Sequence, residues 1–405
     1  MSHKLLIYNL TFPPDQVSTA YLISDIAKGF HDAGWKVTVF TSTPHYNFSK
    51  NFRNISRRSG WFHRKTTYYG IPVTHCFQYK SKNKLIRGLF ILYFHWSFLT
   101  YFMFNNRPDI IFAPSPPLTS GFLAGMIGKL FDIRVVYNVQ EVYPDILLKT
   151  TKKMPKFLWS FLKWIEKKTY SWCDNIVVID EAFAERLKIR TNPNKICTIP
   201  NFVTFDESRI QKEFSIEDTT INDKFVLAYF GNLGLVQDWE TILDAMHLLE
   251  EESDIVLLLI GGGDMYEYLE NKAKHVSNIT ILPYQSKSTI QAFMEKSDLH
   301  IIAMNESSDY DGLPSKTLTI LASGKPLLVS TSLDTPLANL AHNCGNAVRV
   351  DLGDSIAMKR AILKFKNAEY TSLSPEKGIE YVNKSYTKNI VISRYLELFS
   401  DLVNT

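Results

Sequence analysis

Residues 311 to 330 read DGLPSKTLTILASGKPLLVS. Gly312-Leu313-Pro314-Ser315 has the composition of a loop, and Ser315 is placed to act as the N-cap of a following helix. Leu318, Leu321 and Ala322 recur at helical spacing, Gly324 stops the helix, and Pro326 to Ser330 reads as a short buried strand. A loop that opens a helix in this way presents unpaired N–H groups and the positive end of a dipole, and Lys316 adds a cation beside them. Such a site suits a diphosphate. The same residues also describe an ordinary capped helix, because loop-helix-strand units are common in α/β domains. Two carboxylates form a second candidate site, in Val139-Gln140-Glu141-Val142-Tyr143-Pro144-Asp145 just past an apolar strand. Glu141 and Asp145 are candidate acid/base or oxocarbenium-stabilising groups there. Glu141 could instead cap the next helix or pair with an arginine.

Glycine marks two further turns. Tyr229 to Asp238 (YFGNLGLVQD) leaves a strand, turns at Gly231 and Gly234, and enters a helix. Glycine there lets the backbone approach a phosphate closely, or simply makes the turn. Gly261-Gly262-Gly263-Asp264 ends another strand in the same manner, and Pro283-Tyr284 follows a third. Asp309-x-Asp311 has a spacing that can chelate a divalent ion, but no His/Cys/carboxylate cluster elsewhere has ligand spacing.

Together these segments resemble glycosyltransferase family 4, a group with the GT-B fold. In that family two glutamates separated by seven residues bracket the loop and helix start; here the positions fall on Asp311 and Thr319. The resemblance implies that Asp311 sits by the donor sugar, while Thr319 offers a hydroxyl to the ribose without the charge-assisted bond a glutamate would make. Many members carry an Arg and a Lys where this chain has Asn232 and Gln237, which leaves Lys316 as the main side-chain cation for the diphosphate. The "GNLG…Q" form and the resemblance of Val139–Asp145 to "QDLYPD" are similar to the fucosamine-transferase-like subgroup of O-antigen and capsule assembly. By the same resemblance Gly231, Asn232, Gly234, Gln237, Gly262, Tyr284 and the stretch Gly312, Leu313, Pro314, Ser315 and Lys316 bind the donor. In the opening loop Phe12 to Ala20, a family Gly-Gly pair is replaced near Val17-Ser18. Asp15 and Gln16 could meet sugar hydroxyls, or Asp15 could cap the helix. The implied catalytic set is Glu141, Asp15 and Asp311, with Gln16 and Asp145 toward the acceptor. GT-B enzymes need no metal at the site, so no cofactor is expected and a UDP-sugar is a substrate.

These groups must be held by strand ends. Expected strands are Lys4 to Tyr8, Trp35 to Thr41, Asp109 to Ala113, Val135 to Val139, Ile176 to Ile179 and Ile196 to Ile199, with helices over 19–33 and 181–189. A polar, unpatterned linker over 201–222 separates this from a second series at Phe225 to Phe230, Ile255 to Ile260, Ile279 to Leu282 and Leu299 to Ala303. The expected fold class is α/β, GT-B: two Rossmann-like doubly wound domains facing across a cleft. The domains are residues 1–200 for the acceptor, 223–385 for the nucleotide sugar, and a helix over 386–405 crossing back to the first. Open sheets of this kind bind ligands at the carboxyl ends of their strands.

A chain of 405 residues with 45% hydrophobic content is too long for one ordinary core. Its four cysteines are scattered without CxxC spacing, and its N-terminus reads as a strand, not a signal peptide, which points to a reducing, cytoplasmic setting. The net charge of +4 hides an asymmetry. Residues 1–200 hold 27 Lys/Arg against 12 Asp/Glu, and no acidic residue occurs from Ala33 to Pro108. A one-sided field of this size suggests an anionic partner.

The basic residues alternate with aromatics and flank the uncharged run Gly88 to Phe104, 17 residues long. That run reads as a helix at a membrane surface or as a buried core helix. A second basic, aromatic helix is expected over 155–172. Base-stacking aromatics of a nucleic-acid binder belong on strands or loops without such a run, so no nucleic-acid partner is expected. The resemblance then implies transfer of a sugar from a UDP-sugar to an undecaprenyl-diphosphate-type lipid-linked acceptor, peripheral to the inner face of the membrane and retaining. A UDP-sugar 2-epimerase of the same fold is the alternative.

Overall fold

The computed structural model describes residues 2–15, 17–45, 52–59, 63–79, 81, 83–150, 154–203, 221–310, 312–314 and 316–404. Two compact units account for the chain: Met1–Asn201 with Lys388–Thr405, and Phe202–Thr387. Most of the sequence-expected linker, at 204–220, lies outside the described residues.

The first unit is built on nine strands: β1 (Lys4–Tyr8), β2 (Lys36–Ser42), β3 (Arg57–Ser59), β4 (His63–Tyr68), β5 (Ile71–Cys76), β6 (Ile110–Pro114), β7 (Arg134–Val139), β8 (Asn175–Val178) and β9 (Ile196–Thr198). Their order is β3-β4-β5-β2-β1-β6-β7-β8-β9. The sheet is parallel except where β4 runs against β3 and β5. Its central strands are apolar runs buried on both faces, as β6 (IIFAP) shows, which is how a strand reads when helices cover both sides of a parallel sheet. The C-terminal helix Lys388–Asn404 packs in this unit: Phe399 meets Phe30 at 4.8 Å between ring centroids, and the Tyr395 hydroxyl accepts a bond from the Asn138 amide at 3.1 Å.

Two sequence expectations change here. No strand was expected between 57 and 76, yet the hairpin edge β3-β4-β5 occupies it. The residues His63-Arg-Lys-Thr-Thr-Tyr68 hide the strand because β4 is only half-buried and carries charge, the usual composition of strands toward a sheet edge. The apolar run also starts earlier, as the helix Lys84–Met103, capped by the Asn83 side chain accepting from Leu85 N at 2.9 Å. One of its faces is core: Phe94, Phe98 and Phe102 are buried, and Phe98 stacks on Tyr8 at 3.6 Å between centroids. Its opposite face is apolar and open, with Leu85 79% and Leu92 65% exposed. The helix is long and apolar enough to cross a membrane by length and composition, but its aromatic face is part of the sheet packing.

The second unit holds six parallel strands: β10 (Phe225–Asn232), β11 (Ile255–Gly262), β12 (Ile279–Leu282), β13 (Leu299–Ala303), β14 (Leu327–Ser330) and β15 (Ala347–Val350). Their order is β12-β11-β10-β13-β14-β15. The helix Trp239–His247 shows why such segments dock: Ile242, Leu243 and Met246 share its buried face, and Asp238 caps it by accepting from Thr241 N at 3.2 Å. Each sheet has a switch point where strands on opposite sides of the first strand are reached in turn, between β1 and β6 and between β10 and β13; in the first sheet the antiparallel β3-β4-β5 segment adds a further excursion at the edge beyond β2. Ligand crevices of doubly wound sheets open at these switch points, beyond the carboxyl ends of the strands.

Candidate active site

In the second unit the switch point is walled by glycine turns. The penultimate residue of β10 is Gly231, whose φ of +124° is unfavourable for any residue with a Cβ. Next to it, a Cβ on Gly261 would collide with the Gly231 carbonyl, so the two strand ends can lie this close only as glycines. The turn that follows is pinned: Leu233 N donates to Gly262 O at 3.0 Å, Trp239 Nε1 donates to Gly234 O at 2.8 Å, and Asn305 N donates to Val236 O at 3.1 Å. Asn232 lies at the exposed end of β10, and Tyr284 donates its hydroxyl to Gly262 O at 2.8 Å. Gln237 is buried, bridged to Met304, and its Oε1 has no hydrogen-bond partner among the described residues.

Lys316 begins the helix Lys316–Ala322 and reaches this turn. Its ammonium stands 3.4 Å from the Tyr229 ring centroid, and its Nζ faces the Gly231 backbone. The residue as a whole is only half-buried, but the charged end is enclosed, and burial lowers its pKa to about 7. Among the described residues no carboxylate pairs with it. The neighbouring Thr317 hydroxyl is also buried and has no partner among the described residues. A buried cation compensated by a ring face alone is one that an anion would stabilise. Lys325, at the far end of the same helix, is different: its Nζ donates to Glu295 O and Ser297 O, each at 2.8 Å.

Gly312, Leu313 and Pro314 precede Lys316, and Thr319 lies half-buried one turn along. Asp311 and Ser315 lie outside the described residues, as does Gln16. Asp309, the other half of the Asp-x-Asp pair, is buried and accepts from Ser332 N at 2.8 Å and from the Thr331 hydroxyl.

In the first unit Glu141 sits half-buried two residues beyond β7, where Tyr143 N closes a turn onto its carbonyl at 3.1 Å. Gln140 before it is fixed by its N–H to Ser115 Oγ at 3.0 Å and by amide exchange with Asn201. Asp145, expected toward the acceptor, is held in an ion cluster instead. Arg190 reaches it at 2.5 Å and Lys163 at 3.0 Å, and both cations also bind the buried Glu166, at 2.8 Å each. Burial pushes the Asp145 carboxyl up, but Arg190 and Lys163 more than offset that and hold it below its usual range.

Asp15 is 2% exposed and accepts from His45 N at 3.1 Å, so it ties the end of β2 to the opening loop. It does not cap the first helix, whose N-cap residue is Val17. His45 is held by Ser42 Oγ at 3.0 Å, and the buried His75 by Thr66 Oγ1 at 2.8 Å; burial lowers the His75 pKa to about 4.

Sequence reasoning missed a cavity of about 270 Å³ at the β1/β6 switch point. Asn9, Thr11, Ser115 and Gln140 line it, each within three residues of the carboxyl end of β1, β6 or β7. Position relative to strand ends was the signal that could have found them.

Two doubly wound α/β units in this order make up the GT-B fold of glycosyltransferases. Residues 20–207 match the family described as Glycosyltransferase Family 4, and residues 211–385 match Glycosyl transferases group 1. The chain is therefore a glycosyltransferase made of a family 4 domain followed by a group 1 domain. It is 22% identical over 364 residues to "Putative colanic acid biosynthesis glycosyl transferase WcaI" of Escherichia coli (strain K12), covering 84% of this chain and 86% of that one. With "Probable glycosyltransferase WbjE" of Pseudomonas aeruginosa it shares 23% identity over 337 residues, 79% and 82% of the two chains. Anabaena HepE, solved in complex with UDP, superposes with a TM-score of 0.70 at 12% identity, over 98% of this chain and 100% of that one.

Proposed function

We propose that the enzyme transfers an N-acetylated amino or deoxyamino sugar from a UDP-sugar to a lipid-diphosphate-linked saccharide, in the assembly of a bacterial surface polysaccharide. The observation that carries the donor half is the Lys316 ammonium, buried over Tyr229 beside the Gly231 turn with no carboxylate among the described residues. A diphosphate supplies the missing charge, and the turn's glycines let the backbone approach it. HepE has been solved with UDP and with UDP-glucose, which favours a uridine donor here. The colanic acid relative favours a surface glycan, and the sequence likeness at Gly231–Gln237 and Val139–Asp145 favours the fucosamine-transferase-like subgroup.

Glu141 is the residue proposed to stabilise charge at the reacting carbon, with retention of configuration and without a metal. Thr319 is proposed to meet the ribose. Membrane attachment completes the reading: the open face of Lys84–Met103 offers Leu85, Leu89, Leu92 and Trp96, and the helix Lys156–Trp172 offers Phe157, Phe161 and Trp164, all exposed. Apolar faces set in a unit with excess positive charge suit the anionic inner leaflet that carries a lipid-linked acceptor.

UDP release from a panel of UDP-N-acetylhexosamines, including deoxy sugars, with and without an undecaprenyl-diphosphate-linked saccharide, tests the reading. Acceptor-stimulated release of at least about tenfold is expected. Release that is indifferent to the acceptor would contradict the transfer.

A further inference from the structure

The cavity at the β1/β6 switch point has a chemistry unlike the lysine site. Among the described residues none that lines it is charged, although the unit around it carries a large excess of Lys and Arg. Leu10, Val17, Leu22 and Pro116 form apolar wall, while Thr19 and Ser115 bring hydroxyls. The polar side is fixed in place: Thr11 Oγ1 and Thr19 Oγ1 lie 3.2 Å apart, and Ser115 Oγ accepts from Gln140 N at 3.0 Å. At about 270 Å³ it falls just below the range of roughly 300–1,000 Å³ usual for ligand pockets, which suits one sugar ring and not a whole nucleotide sugar.

A ring with a hydroxyl at every carbon would press some of them against Leu10, Val17, Leu22 and Pro116. A hydroxyl buried there without a partner is costly, whereas a methyl group gains from the same wall. We infer that this cavity is a specificity pocket for a neutral, methyl-bearing sugar, the methyl coming from an acetamido group or from a 6-deoxy carbon, on the acceptor side of the reaction. This rests on the glycosyltransferase reading above and deepens it: the lysine site takes the anionic part of the donor, and this pocket selects the neutral acceptor ring.

The test uses the full chain saturated with UDP and titrated, by ligand-observed NMR, with methyl glycosides of galactose, N-acetylgalactosamine and fucose, and of glucose and N-acetylglucosamine. A buried methyl should tighten binding about fourfold, so the N-acetyl sugars, fucose or both should bind at least that much better than their parent hexoses. The two arms tell the acetamido source from the 6-deoxy source. Val17→Thr replaces one wall methyl by a hydroxyl at nearly constant volume and should bring the preference toward parity. Leu22→Phe should fill the pocket and abolish binding of all five probes; thermal unfolding checks that each variant is folded. Equal affinity for substituted and parent sugars, no binding of any probe by a UDP-bound protein, or an undiminished preference in folded Val17→Thr would each overturn the pocket. Failure of the wild type to bind UDP would instead strike the donor reading, so the two failures are distinguishable.

Discussion

Lys316 is the residue on which most of the account turns, and its titration makes a prediction of definite sign. Burial lowers its pKa to about 7 in the free protein, and a bound diphosphate must raise it. Between those two values the free lysine is neutral and the bound one charged, so UDP binding near pH 8 should take up close to one proton. Affinity should be greatest below the free pKa and fall, by up to about tenfold per pH unit, as pH rises above 7. Calorimetry in buffers of different ionisation enthalpy measures the uptake; none would mean that the diphosphate does not meet this ammonium.

Glu141→Gln belongs at the same scale. An amide keeps the shape of a half-buried side chain, so UDP-sugar affinity and stability should hold while turnover drops at least about 100-fold. Turnover near wild type would make Glu141 structural. Asp145 would be a poor substitute, because Arg190 and Lys163 already occupy its carboxylate.

Among the elements, the ion cluster has the clearest mechanical role. Asp145 opens the helix Asp145–Thr150, four residues after Glu141, and Arg190 ties it to Glu166 on the Lys156–Trp172 helix. Arg190→Ala leaves Lys163 to serve two carboxylates, one of them buried. A stability loss of about 3 kcal/mol, the low end for breaking a buried pair, is expected in denaturant unfolding. A change near zero would mean that the cluster is solvent-screened.

Elements were legible in the sequence to different degrees. The central strands could be read as apolar runs, since both faces are buried. β3 and β4 could not, because the exposed edge strand β3 and the half-exposed β4 beside it carry Arg, Lys and Thr in place of an apolar pattern. The 17-residue apolar run was ambiguous for a physical reason: one face packs on Tyr8 and the other faces outward, so the sequence shows hydrophobicity all round. Of the site, the glycine turns and Lys316 were readable from local chemistry. The ion pairing of Asp145 with Arg190, 45 residues away, and the burial of Asp15 under His45 depend on packing that no local pattern encodes.

For the molecule as a whole, charge and apolar surface coincide in the first unit. Attachment to anionic vesicles should weaken with salt, since the Debye length falls from about 10 Å at 0.1 M to about 3 Å at 1 M. Insertion of Leu85, Leu89 and Trp96 should not weaken that way. Partial release in high salt, and fuller release when those three exposed residues are also made polar, are expected in sedimentation with phosphatidylglycerol vesicles. A protein that never sediments at low salt would remove the membrane from the account. The central claim is that the nucleotide diphosphate sits on Lys316 and the Gly231 turn, and the most direct measurement is calorimetric titration of UDP into wild type, Lys316→Ala and Lys325→Ala at pH 7. A charge-assisted hydrogen bond is worth about 1.5–3 kcal/mol, so Lys316→Ala should lose more than tenfold in affinity, while Lys325→Ala, whose ammonium is spent on two backbone carbonyls, should bind as wild type does. Equal affinities in the two variants would contradict the account.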